Sequence, residues 1–296
     1  MIMSYFDLIA NQIVPLYPIP TGMSPAGKLR EPVCAVIFDL YGTIIVSQSG
    51  DISIAKNQAQ TASQLNDLIE NYGYQGNVDD LIHNFFGLIA ADHGTMRQKG
   101  IDYPEVEIDH IWRQVLGTED IETARRFAIQ FEMIVNPGYL MPQLTNVLSA
   151  LRNSGMHLGI ISNAQFFTPL LFQVLCGDSP ENIGFEAGLI FYSYQHGVAK
   201  PSRRLFHLAA RALKAIGIEP ENTIYVGNDM LNDILPATAE GFQTALFAGD
   251  KRSLRLREDD PRCQNVNPDL IITELPQLVN RITTGKPIKA GQDESA

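Results

Sequence analysis

Val33-Cys34-Ala35-Val36-Ile37-Phe38-Asp39-Leu40-Tyr41-Gly42-Thr43 decides the reading of this chain. Six apolar residues run up to Asp39 without polar alternation, the pattern of a parallel strand buried on both faces. Cys34, inside that run, is expected to be a small buried hydrophobe. A carboxylate at the end of such a strand falls at the carboxyl edge of the sheet, where open α/β folds keep their ligand crevices. Taken alone, Asp39 reads more simply as a turn cap.

Three later segments repeat the grammar of apolar strand followed by polar group: Leu158-Gly159-Ile160-Ile161-Ser162-Asn163, then Ala199-Lys200-Pro201, then Thr223-Ile224-Tyr225-Val226-Gly227-Asn228-Asp229 with Asp233 close behind. Strand and helix patterns alternate between them. Leu140, Leu144, Val147, Leu148 and Leu151 recur at helical spacing, and Gly155 ends that helix. Thr168 reads as an N-cap with Pro169 at the first helical position. Leu205, Ala209, Ala212 and Ile216 mark another helix, and Asp233 is a plausible N-cap for one with Pro236 in its first turn. Gln243–Phe247 and Leu270–Ile272 supply further strands. Such alternation implies a mostly parallel sheet with helices on both faces.

Residues from about 49 to 135 break the alternation and read as helical throughout. Four apolar stripes follow one another: Ala62, Leu65, Leu68, Ile69 and Tyr72; Val78, Leu81, Ile82, Phe85, Phe86 and Ile89; Ile108, Ile111, Trp112, Val115 and Leu116; Ile121, Ala124, Phe127, Ala128 and Phe131. Amphipathic helices in one block can bury their stripes against each other. Trp112 belongs to such a stripe and is expected in its core.

In order and spacing, the four strand-end segments resemble the motifs of the haloacid dehalogenase superfamily of aspartate-nucleophile hydrolases, across roughly residues 32–285. The resemblance implies a doubly wound, Rossmann-like α/β sheet with an inserted helical cap. The expected division is an irregular N-terminal extension at 1–31, a catalytic core at 32–48 and 136–284, a helical cap at 49–135 and a disordered tail at 285–296.

The resemblance also assigns chemistry. Asp39 would be the nucleophile, forming a covalent aspartyl intermediate. Ser162 and Asn163 would bind substrate oxygens, and Lys200 would offset the charge of Asp39 and of the substrate. Asp39, the backbone carbonyl of Tyr41 and a side chain from Asn228 or Asp229 would hold Mg²⁺, an ion that prefers oxygen ligands and takes only one or two carboxylates. Asp233 would orient Lys200 or cap its helix.

Tyr41 departs from the phosphatase pattern, which has a second Asp at this position to protonate the leaving group and activate water. Its loss removes acid–base help worth roughly 10²–10⁴ in rate. Asp-Leu-Tyr-Gly-Thr also resembles the first motif of true 2-haloacid dehalogenases, whose halide leaves without a proton or a metal. Mg²⁺-dependent hydrolysis of a phosphate monoester is the first reading. Dehalogenation and a binding protein with little catalysis are the alternatives. His93, Arg97, Lys99, Arg113 and His196 are candidate substrate contacts, and Arg203 and Arg204 are expected on an exposed helix face.

Composition narrows the partners. The chain has 296 residues, 45% of them hydrophobic, and a net charge of −11. Its pI near 5.0 argues against nonspecific binding to nucleic acid or anionic membrane. No apolar run approaches the roughly 20 residues of a membrane span. Three cysteines without metal-type spacing and no signal-peptide pattern fit a cytoplasmic protein, and the resemblance implies a small, anionic substrate. The sequence sets no oligomeric state.

Overall fold

The computed structural model describes residues 3–48 and 59–284. A helix, α1 (Tyr5–Ala10), opens it under a reciprocal cap between Ser4 and Asp7. An extended segment then leads to the edge strand β1 (Ala26–Gly27), antiparallel to β9 (Leu270–Ile272). The lead-in is therefore not irregular throughout.

The core strand is β2 (Ala35–Phe38). It lies between β5 (His157–Ser162) and β7 (Thr223–Gly227), parallel to both. With β6 (Ile190–Tyr192) and β8 (Gln243–Phe247), the sheet order is β1-β9-β8-β7-β2-β5-β6. Period-two geometry splits each strand between two cores. Val36, Phe38, Ile160, Ile224 and Val226 face α6 (Leu144–Asn153). Ala35, Ile37, Ile161 and Tyr225 face α8 (Arg203–Ala215), whose Leu205, Phe206, Ala209 and Leu213 are buried there. Each fully buried large apolar side chain stabilises by roughly 1.5–3 kcal/mol. Cys34 departs from its expectation: the strand begins one residue later, and Cys34 is exposed.

After β2 the chain turns into β3 (Ile45–Ser47), which pairs antiparallel with β4 (Gly138–Leu140). Leu140 thus sits in a strand, and the helix that it seemed to begin starts at Leu144. Between β3 and β4 lie α2 (Ala59–Asn71), α3 (Val78–Gln98), α4 (Ile108–Leu116) and α5 (Ile121–Val135). Their stripes form one apolar cluster, in which Trp112 is 1% exposed and stacks on Phe85 at 4.3 Å. Phe86, assigned to the same stripe, is exposed. Ile9 of α1 also belongs to this cluster.

Two helix starts differ from the sequence reading. Thr168 is the first residue of α7 (Thr168–Cys176), with Phe167 as N-cap. After β7, Asp229 rather than Asp233 caps the next segment, a π-helical turn over Met230–Ile234 that runs into α9 (Leu235–Ala239). The chain closes with α10 (Leu275–Thr284). The expected tail at 285–296 and the first part of the expected cap, 49–58, lie outside the described residues. No helix among the described residues is long and apolar enough to cross a membrane.

Candidate active site

Because β7, β2 and β5 are neighbours, the residues at their carboxyl ends converge. Asp39 follows β2, and its backbone N–H donates to Val226 O at 2.9 Å. Ser162 ends β5 and donates from Oγ to Asp39 Oδ1 at 2.8 Å. Lys200, from the loop after β6, brings Nζ within 2.7 Å of the same oxygen and 2.6 Å of Asp233 Oδ1. All three charged groups are buried. Burial alone would depress the lysine, but Asp233 and Asp39 outweigh it and hold its pKa above the ordinary value.

Asp233 is a hub. Its Oδ2 accepts the backbone N–H groups of Asn228 at 3.0 Å and Asp229 at 2.9 Å. Its Oδ1 lies 3.0 Å from the Tyr225 hydroxyl, which also accepts from Lys200 Nζ at 3.2 Å. Burial and the neighbouring carboxylates push Tyr225 well above its usual pKa, so it stays neutral. Gly227 permits this approach, since a Cβ there would lie 2.4 Å from the Asp233 carboxyl carbon.

Asn163 lines the cleft, but both ends of its amide are engaged by the Lys200 backbone. Its Oδ1 accepts from Lys200 N at 2.7 Å and its Nδ2 donates to Lys200 O at 3.3 Å. It fixes the lysine's position, and the second N–H of its amide has no partner among the described hydrogen bonds.

On the opposite side, Asn228 Oδ1 accepts from Thr43 Oγ1 at 3.1 Å and Nδ2 donates to the Ser253 carbonyl at 2.6 Å. Asp229 does not offer the free metal carboxylate that the sequence suggested. Its Oδ1 accepts from Leu231 N and Asn232 N, as an N-cap, and Arg257 grips both oxygens at 3.0 and 2.6 Å. Hard donors suited to Mg²⁺ remain in Asp39, the Tyr41 carbonyl and Asn228 Oδ1, a set with a single carboxylate that fits an ion completing its shell with phosphate and water.

Tyr41 is half-buried, and its hydroxyl lies 3.1 Å from Thr168 Oγ1. Burial raises its pKa, with a further push from Glu132. Glu132, near the end of α5, accepts from Asn136 Nδ2 at 2.9 Å, and Asn136 Oδ1 accepts from Ser47 Oγ at 2.6 Å.

The cleft holds about 270 Å³ and is lined by Asp39, Tyr41, Ser47, Asn163, Lys200, Asn228, Asp229, Asn232, Asp233, Ser253, Arg255 and Arg257. Sequence reasoning missed Arg255, Arg257 and Ser253, which sit on a loop after β8 that carries no motif or periodicity. His93, Arg97, Lys99, Arg113 and His196 do not line it. Arg203 and Arg204 are exposed as expected.

Among the described residues, no side chain of α2–α5 lines the cleft, but the loop joining α3 to α4 grips its walls. Ala199 N donates to Tyr103 O at 2.8 Å, one residue before Lys200. Glu105 accepts from Ser193 Oγ at 2.7 Å and from Gln165 Nε2 at 3.1 Å. Burial raises the pKa of Glu105, and its hydrogen bonds offset part of the rise.

Residues 33–241 match the family model of haloacid dehalogenase-like hydrolases. Glyceraldehyde 3-phosphate phosphatase of Pyrococcus furiosus is 37% identical over 84 residues, which span 28% of this chain and 31% of that relative. The 2-haloacid dehalogenase of Pseudomonas syringae pv. Tomato superposes with a TM-score of 0.56 at 18% identity, covering 85% of this chain and 98% of its own. A HAD phosphatase from Thermococcus onnurineus gives 0.51 at 18% identity, covering 86% and 99%. At such identities the two structures show a shared fold.

Proposed function

The chain belongs to the haloacid dehalogenase-like hydrolases, and from that premise we propose that it hydrolyses a small phosphate monoester with Mg²⁺, using Asp39 as nucleophile. The charge balance of the cleft carries this reading. Its lining holds three carboxylates, Asp39, Asp229 and Asp233, against three cations, Lys200, Arg255 and Arg257. A phosphate dianion and one divalent cation enter such a site as a neutral pair. A lone carboxylate substrate leaves it with a net negative charge.

Ser162 and Lys200 hold Asp39 Oδ1, which leaves Oδ2 to attack phosphorus. The P–O ester bond breaks, its electron pair passes to the leaving alcohol oxygen, and an aspartyl phosphate forms. Water then attacks phosphorus and releases Asp39. Mg²⁺, held by Asp39, the Tyr41 carbonyl and Asn228, would neutralise charge on the phosphoryl oxygens and the nucleophile. Asp233 keeps Lys200 charged and aimed. Tyr41, held protonated by its raised pKa, can donate a proton to the leaving group but is a poor base for water. Hydrolysis of the aspartyl phosphate is therefore the step we expect to limit turnover.

The test is a panel of phosphate monoesters and an aryl phosphate, assayed with Mg²⁺ and again with chelator. Turnover abolished by chelator and by Asp39→Asn is the expected result; chelator-resistant turnover would remove the metal from the scheme. Tyr41 favours one second reading, because halide leaves without a proton. Halide release from 2-haloacids despite chelator would establish it in place of the first. Turnover of neither substrate class would favour a binding role.

A further inference from the structure

Ser253 is 7% exposed, and its Oγ is buried without a hydrogen-bond partner among the described residues. It nevertheless lines the cleft beside Asp39, Tyr41 and Asn228. Buried hydroxyls nearly always find partners within the protein or in what it binds. Here the obvious neighbours are taken. The Asn228 amide donates to the Ser253 carbonyl and accepts from Thr43, so it leaves the Ser253 hydroxyl alone. Arg257 is committed to Asp229, and Arg255 Nη1 to the carbonyls of Arg252 and Leu254.

The backbone that carries the hydroxyl is firmly held. Arg255 N donates to Asn228 O at 3.0 Å and Met230 N to Arg255 O at 2.9 Å, zipping this loop to the segment after β7. On its other flank the N-terminal segment braces it: Thr21 Oγ1 donates to Ala248 O at 2.6 Å, Ile19 N to the buried Asp250 at 3.1 Å, and Lys251 N to Ile19 O at 2.8 Å. The turn after Asp39 closes the third side. A Cβ on Gly42 would lie 2.5 Å from the Ser253 Cβ. An unpaired donor held this firmly at the wall of an anion site is preorganised for a ligand oxygen.

We propose that Ser253 is a substrate-contacting residue, whose hydroxyl donates to a phosphoryl oxygen of the ester seated at Asp39, on the Asn228 side of the cleft. This rests on the phosphate-ester reading above. Ser162 at the end of β5 and Lys200, anchored on Asp233, hold one oxygen of Asp39; Ser253 supplies a further neutral donor beside Asn228, and the N-terminal segment that braces its loop becomes part of the substrate site's support.

Inorganic phosphate is the probe, measured by calorimetry and as a competitive inhibitor of aryl phosphate hydrolysis, with thermal melts alongside. Ser253→Ala should weaken phosphate binding about tenfold, the scale of a lost hydrogen bond to a charged group. Its melting temperature should stay level or rise, because the removed hydroxyl has no protein partner to lose. Unchanged phosphate affinity in Ser253→Ala would overturn the assignment. A lower melting temperature with unchanged affinity would do so too, by marking the hydroxyl as structural. A wild-type chain that neither binds phosphate nor hydrolyses esters would remove the phosphate reading, and this inference with it.

Discussion

The helical unit and the α/β core are built on opposite principles. In the unit, Phe85, Trp112, Phe127 and Phe131 stack within 4.3 to 6.1 Å and bury their area without charge. In the core, the sheet's carboxyl edge buries Asp39, Lys200 and Asp233 in contact with one another. Buried ion pairs add little net stability and are costly to break. The residues that line the cleft belong to the core, while the unit's aromatic cluster stands apart from them; the two meet at the loop around Tyr103 and Glu105 and where Tyr41, Phe167 and Leu171 pack against the unit.

The sharpest way to break that division is Lys200→Met. It leaves two buried carboxylates unpaired, at about 3–5 kcal/mol, and removes a preorganised cation worth roughly 10²–10³ in turnover. Denaturant melts and phosphatase kinetics on the same variant should show both losses; a stable, active variant would dissolve the distinction. Trp112→Ala should cost a similar 3–5 kcal/mol with turnover retained in the folded fraction. A fall in kcat of the folded protein would mean that the unit's core reaches the chemistry.

Tyr41 stands on the border, packing against both apolar clusters. Tyr41→Asp should raise phosphate turnover by about 10²-fold, the lower end of what a positioned acid–base supplies. Steady-state assays showing no gain would count against the missing acid as the limit.

Glu132 refines the comparison on the unit's side. Burial pushes its carboxyl from 4.5 up to about 7, although the Asn136 hydrogen bond holds it down. The raised value means that ionising Glu132 opposes folding, a cost that grows as pH rises from its unfolded value through the folded one. Glu132→Gln should therefore melt higher than wild type near pH 8, and the gap should close near pH 5. Arg257→Ala should have the smallest effect. Its partly exposed pair with Asp229 is worth about 0.2–1 kcal/mol in a chemical melt.

What the sequence disclosed follows the same division. Apolar runs made β2, β5 and β7 legible, and helical periodicity made α2–α5 legible. The strands β3 and β4 were hidden, because Ile45–Ser47 follows directly on the turn after Asp39 and Leu140 fell in step with the helix after it. At the site, Asp39, Lys200 and Asp233 could be read from their places after strands. The partner of Asp229 could not be read, because the guanidinium that grips it comes from 28 residues away, on a loop without pattern. Ser253 was invisible for the same reason: its meaning lies in which partners it lacks, and only coordinates record that.

The β3–β4 pairing has one more consequence. The chain departs for the helices at Ser47 and returns at Gly138 within one two-stranded ladder, separate from the seven-stranded sheet. To the strand order of the sheet, everything between those two residues counts as the tip of one hairpin. Its length and contents can change without rethreading a single parallel crossover, so the floor that bears Asp39 is topologically indifferent to what is inserted between the two strands.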